Sequence, residues 1–104
     1  MELGSGLKIK GRIRGGDELV VRGRVEGSIE VAGPVCVEHE GRVKADISAR
    51  SVVVKGAVQG NITAEGLVEL REGSKVVGDI SAARVSIAPG ALYRGRVGTK
   101  PLEA

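Results

Sequence analysis

Val54-Lys55-Gly56-Ala57-Val58-Gln59-Gly60-Asn61-Ile62 carries Val, Gly, Val, Gly and Ile at every second position. That is the period at which successive side chains fall on opposite faces of a strand. The same alternation runs through Val21-Arg22-Gly23-Arg24-Val25-Glu26-Gly27-Ser28-Ile29. A helix is disfavoured, because β-branched residues and glycine dominate both stretches and no cap precedes an amphipathic run. Each stretch reads as strand with one buried face.

Outward from these stretches, the pattern recurs. Leu7-x-Ile9, Leu19-x-Val21, Val35-x-Val37, Val52-x-Val54, Val68-x-Leu70 and Val85-x-Ile87 open six units, at spacings of 12, 16, 17, 16 and 17 residues. Each opener leads into a second motif, apolar-x-small-x-apolar: Val25-Gly27-Ile29, Val43-Ala45-Ile47, Val58-Gly60-Ile62, Val76-Gly78-Ile80 and Tyr93-Gly95-Val97. The first unit holds a shortened form, Gly11-Arg12-Ile13-Arg14-Gly15. Self-similarity at a short period marks a repeat architecture. Because the motifs keep one order and direction, a coil of parallel strands fits better than hairpins. Near 17 residues per turn there is room for three short faces, with like positions stacked about 4.8 Å apart.

Stacking accounts for the columns. Gly27, Ala45, Gly60, Gly78 and Gly95 are small throughout, as an inward position beside a tight corner requires. Ile29, Ile47, Ile62, Ile80 and Val97 form an aliphatic ladder beside them. The outward columns Glu26, Lys44, Gln59, Val77, Arg94 and Ser28, Asp46, Asn61, Asp79, Arg96 avoid like charges one turn apart. Gly33-Pro34, Glu40-Gly41, Glu65-Gly66, Glu72-Gly73 and Pro89-Gly90 supply turn chemistry at the corners.

Composition narrows the classes. Among 104 residues Tyr93 is the one aromatic, so the core is thin and built of Val, Ile, Leu and Ala. A net charge of +3 with both signs interspersed suits a mixed solvated surface. No apolar run approaches a bilayer span and no secretory leader opens the sequence, so a cytoplasmic location is expected; the single Cys36 agrees with a reducing compartment.

The elements Val25-Glu26-Gly27-Ser28-Ile29, Val76-Val77-Gly78-Asp79-Ile80 and Pro89-Gly90-Ala91-Leu92-Tyr93-Arg94-Gly95 resemble the bactofilins, bacterial polymer-forming cytoskeletal proteins, from about Leu7 to Val97. The resemblance implies a right-handed β-helix that assembles end to end into filaments without nucleotide. Where that family usually ends on Phe, this chain has Tyr93. The membrane-targeting N-terminal tail of many members has no counterpart here, so filament formation transfers more readily than membrane attachment.

The expected protein is therefore all-β, a single-domain right-handed parallel β-helix of about six short turns, with tails at 1–6 and 98–104 around a domain at 7–97. Its expected role is a cytoskeletal scaffold that pairs with itself and recruits client proteins for cell shape or intracellular organisation, its filaments lying in the cytoplasm, with a place near the inner membrane left open. A stacked coil exposes unpaired backbone and apolar core at both ends unless something caps it. Tyr93, Val85, Ile87 and Val97 are the candidate C-terminal contact, and Leu7, Ile9 and Ile13 the N-terminal one. Tyr93 reads equally well, on the residues alone, as a plug for the end of the core.

An alternative reading takes Arg12, Arg14, Arg22 and Arg24 as a basic face for nucleic acid, anionic membrane or an acidic partner; without interleaved aromatics, nucleic-acid binding there would be nonspecific. The bland reading of these arginines is a solvated face. An acyltransferase on a left-handed β-helix is a weaker alternative, since His39 stands alone and no base, nucleophile and oxyanion donors converge. No catalytic residue, cofactor or metal is expected. Glu38-His39-Glu40 reads as a corner rather than a ligand set, and Gly73-Ser74-Lys75 lacks the upstream glycine of a phosphate loop. Asn61-Ile62-Thr63 is a sequon without a leader, Arg14-Gly15-Gly16 is too short for a nucleic-acid tail, and Cys36 is read as an incidental solvent-facing thiol.

Overall fold

A computed structural model of the chain describes residues 2–4 and 6–99. Met1 and Ser5 of the expected N-terminal tail, and residues 100–104 of the C-terminal one, lie outside the described residues.

One sheet is built from β1 (Glu2–Leu3), β3 (Leu19–Val21), β5 (Pro34–Val37), β7 (Ser51–Val54), β10 (Leu67–Leu70) and β13 (Arg84–Ile87), stacked in that order. The other contains β2 (Lys8–Gly15), β4 (Arg24–Val31) and β6 (Arg42–Ala49), then β8 (Ala57–Gln59) and β9 (Ile62–Ala64), β11 (Lys75–Val77) and β12 (Ile80–Ala82), and β14 (Leu92–Arg94) and β15 (Val97–Thr99). Every pairing is parallel and joins one turn to the next. The molecule is an all-β parallel solenoid, as the repeat implied. It has about five turns rather than six, because β1 contributes only two residues to the first.

The inward columns form the core. Leu19, Val21, Val35, Val37, Val52, Val54, Val68 and Leu70 from one sheet, and Ile29 and Ile62 from the other, are completely covered. Each interior turn supplies two buried positions from the first sheet and two or more from the second, and these pack across a body 17 Å in its thinnest dimension. That thickness suits two sheets about 10 Å apart.

One register differs from expectation. Leu7-x-Ile9 does not open the first turn: Glu2 and Leu3 of β1 align with Val20 and Val21, whereas Ile9, Gly11 and Ile13 align with Val25, Gly27 and Ile29. The first unit's second motif is thus complete rather than shortened. Leu7 occupies a corner, where its carbonyl accepts from the Arg24 amide (2.8 Å) just as Gly23 accepts from Arg42 and Ser74 from Leu92. That column is otherwise Gly, Ser or Ala, and Ser74 within it is fully buried with an Oγ that lacks a hydrogen-bond partner.

The small column also has a sharper cause than a cramped inward corner. Gly78 has φ +137°, a region L side chains rarely adopt, and a Cβ there would collide with the carbonyl oxygen of Gly60 one turn back. Gly27, Gly60 and Gly95 repeat that geometry, so what excludes a side chain is the backbone of the neighbouring turn. At Gly60, Gly78 and Gly95 the strand breaks, giving β8/β9, β11/β12 and β14/β15. The expected three faces therefore develop only in these later turns. β2, β4 and β6 run unbroken through Gly11, Gly27 and Ala45, although Gly11 and Gly27 also have positive φ.

The break frees the amide of the following residue, and the preceding turn takes it up. Asp46 Oδ1 accepts from the Asn61 amide (3.2 Å), Asn61 Oδ1 from Asp79 (3.4 Å) and Asp79 Oδ1 from Arg96 (3.3 Å). The Asp46, Asn61, Asp79 column is thus a side-chain-to-backbone ladder, satisfying donors that the sheet leaves out.

Candidate assembly surfaces

In the last turn the buried columns run out into solvent. Ile87 continues the column of Val21, Val37, Val54 and Leu70, all at 0 % exposure, yet is itself 50 % exposed. Val97 ends the ladder of Ile29, Ile47, Ile62 and Ile80, none above 1 %, and stands at 43 %. Val85 and Tyr93 are half-buried and pack on the core. The outward Leu92, more than half exposed, adds to the apolar surface of this end.

Tyr93 occupies the column of Val58 and Val76. Its hydroxyl shares one proton between the carbonyl oxygens of Gly78 (2.8 Å) and Arg96 (2.6 Å), so the ring is pinned across the last corner. Burial raises its pKa above the ordinary phenol value, and the Asp79 carboxylate raises it further against a smaller opposing effect of the Ile80 backbone. The ring therefore does plug the end of the core, while its remaining exposed surface belongs to the same end face.

At the other end Leu7 is half exposed, Ile9 is half-buried and packs on the core, and Ile13 is only 8 % exposed and belongs to it. Within the described residues β2 pairs only with β4. The four arginines of the basic face sit in the first two turns, Arg12 and Arg14 on β2, Arg22 and Arg24 at the entrance to β4. Arg14 meets Glu30 at 3.4 Å. Sequence reasoning omitted Lys8 and Lys10, which alternate with Ile9 and complete an exposed row with Arg12 and Arg14. Lys10 reaches Glu26 at 3.9 Å. Lys8, Arg24 and Arg42 stack in one column, an exception to the alternation of charge in the neighbouring columns.

Residues 1–98 match the family model described as "Bactofilin: Polymer-forming cytoskeletal". The chain belongs to the bactofilin family. Three proteins of Myxococcus xanthus (strain DK1622), the bactofilins BacN, BacP and BacO, are each 44 % identical to it, over 50, 101 and 95 residues. The match takes in 48 % of this chain for BacN, 97 % for BacP and 91 % for BacO; it spans 44 %, 42 % and 75 % of those proteins. The chain thus spans less than half the length of BacN and of BacP. The crystal structure of a mutant bactofilin from Thermus thermophilus superimposes with a TM-score of 0.79 at 31 % identity, covering 84 % of this chain and 97 % of that one.

In this bactofilin the remaining chemistry-bearing residues are dispersed. Glu38-His39-Glu40-Gly41 closes as a turn, with the Gly41 amide donating to the Glu38 carbonyl at 2.8 Å. Among the described residues no three His, Cys, Asp or Glu side chains gather as a metal set. Cys36 points outward, as expected, but is half-buried between Val20 and Val53. Its Sγ donates to Glu38 Oε1 at 3.3 Å. Burial, that hydrogen bond and the carboxylate's charge all raise its pKa, leaving little nucleophilic thiolate. No helix among the described residues is long and apolar enough to cross a membrane.

Proposed function

We propose that this bactofilin is a scaffold whose protomers join end to end into filaments without nucleotide and recruit client proteins along their sides in the cytoplasm. One observation carries the reading. The Ile87 and Val97 columns pass from complete burial to about half exposure at the last turn, and a further turn supplied by another copy would restore the burial of the interior. Family membership supports the polymer, and strand edges at both ends that are unpaired among the described residues supply backbone donors and acceptors for continuing the sheets. Tyr93, Val85, Ile87 and Val97 form the proposed C-terminal contact; Leu7, Ile9 and the edge of Ile13 form the N-terminal one.

Negative-stain electron microscopy of the parent beside Ile87→Arg and Tyr93→Arg, without nucleotide, tests it. Ile87 is half exposed, so charge there leaves the protomer folded, which circular dichroism verifies. Filaments from the parent and short particles from Ile87→Arg are expected. Dispersed protomers from the parent at high concentration would sink the proposal.

A further inference from the structure

The row on β2 has a feature that end-to-end joining does not explain. Lys8, Lys10, Arg12 and Arg14 are all exposed on one side of an eight-residue strand whose other edge is unpaired among the described residues. The paired edge shows what such a row accepts. Across it, β4 sets Glu26 beside Lys10 and Glu30 beside Arg14, at 3.9 and 3.4 Å. Opposite the other two cations β4 offers Arg24 to Lys8 and uncharged Ser28 to Arg12, so two of the four face no acid in register.

A second copy joined at this face covers Leu7 and Ile9 but supplies no acid to the outward row. Stacked head to tail, it would bring Arg94 and Arg96 of β14–β15, with Leu92, over this strand; stacked head to head, it would bring the same four cations. Like charges directly opposite on neighbouring strands are destabilising. An extended segment with acids at alternate positions reverses every one of those signs and uses the free backbone edge as well.

We propose that the open edge of β2 is a docking site for an extended acidic peptide segment, added as a further parallel strand with Glu or Asp at every second residue facing Lys8, Lys10, Arg12 and Arg14. The intervening residues lie over Ile9, Gly11 and Ile13, where Val, Gly and Ile of β4 already fit on the other side. Main-chain hydrogen bonds give affinity and the alternating acids fix register, the mode of strand addition to an exposed edge. This site needs a free N-terminal face and not a filament, so it stands apart from the polymer reading; where both operate, the acidic strand caps the rod and competes with joining.

The probe is a fluorescein-labelled Glu-Val-Glu-Gly-Glu-Ile-Glu-Val peptide, compared with the same composition ordered Glu-Glu-Val-Val-Gly-Ile-Glu-Glu. Fluorescence anisotropy is read at low and high salt, and amide hydrogen exchange is followed over residues 8–15. Expected are tighter binding of the alternating peptide, slowed exchange confined to β2, and about tenfold weaker binding by Lys8→Ser/Arg12→Ser, the loss of two exposed charge pairs. That double variant leaves both Glu pairings intact. Equal binding of the two peptides, unchanged exchange over residues 8–15, or preference for a single-stranded oligonucleotide of equal charge would each overturn the proposal. Micrographs of the same samples score filaments separately, so failure of one reading is not mistaken for failure of the other.

Discussion

Gly78→Ala separates two reasons for a glycine that sequence alone runs together. At Gly73 φ is +84° and nothing lies within 4 Å of an added Cβ; at Gly78 φ is +137° and the Cβ meets the Gly60 carbonyl. Gly73→Ala therefore costs only the left-handed backbone, about 1–2 kcal/mol. Gly78→Ala costs the sparsely populated φ, about 1–3 kcal/mol, plus displacement of a packed neighbour, about 1–3 kcal/mol. The midpoint sum of about 4 kcal/mol is a large share of the roughly 5–15 kcal/mol that holds a domain together. At roughly 4–8 °C per kcal/mol, Gly73→Ala should melt about 4–16 °C lower and Gly78→Ala about 16–32 °C lower. Thermal circular dichroism of both variants and the parent, at a concentration where light scattering shows no assembly, provides the comparison. Equal shifts would refute the argument that the neighbouring turn's backbone, and not φ alone, fixes this column.

Three further outcomes are expected. Ser74→Ala removes a buried hydroxyl without a partner and should raise stability by about 1 kcal/mol, read as a higher Tm; a lower Tm would mean the Oγ is satisfied in solution. Absorbance at 295 nm follows Tyr93 alone, the sole aromatic, and should show it titrating above a free phenol. Because the folded pKa is the raised one, the associated stability is complete below the unfolded value and is lost as pH climbs through the folded value; an ordinary midpoint would contradict the pinned ring. Arg24→Gln, at the centre of the Lys8, Arg24, Arg42 column, should stabilise by a few tenths of a kcal/mol in dilute buffer, the scale of a cross-strand pair, and the gain should vanish in molar salt.

The fold was legible because solenoid physics writes itself into columns: Val52, Val68 and Leu70 could be aligned by period alone, and they are fully buried. The first turn misled because Leu7-x-Ile9 has the look of an opener. Its spacing of 12 to Leu19 was the signal, since Ile9 lies 16 before Val25, inside the regular range. The Asp46, Asn61, Asp79 ladder was visible only as varied outward polarity, because the donors it serves arise from the glycine break. Lys8 and Lys10 escape a reading based on arginines alone, because only the alternation along the strand puts all four cations on one side of β2. Where Tyr93 sends its hydroxyl depends on two carbonyls that only the folded corner brings together.

Every strand pairing joins residues 15 to 18 apart and none reaches past the adjacent turn. The length of the molecule is thus free of its cross-section: a gene that gains or loses one period changes how tall the subunit is without redesigning any core. Excising 51–66, which removes β7 to β9, would bring β6 onto β11 with the Val43, Ala45, Ile47 column meeting Val76, Gly78, Ile80. Where copies stack end to end as proposed, subunit height is the ruler, and it can be re-cut in steps of one strand spacing, about 4.8 Å.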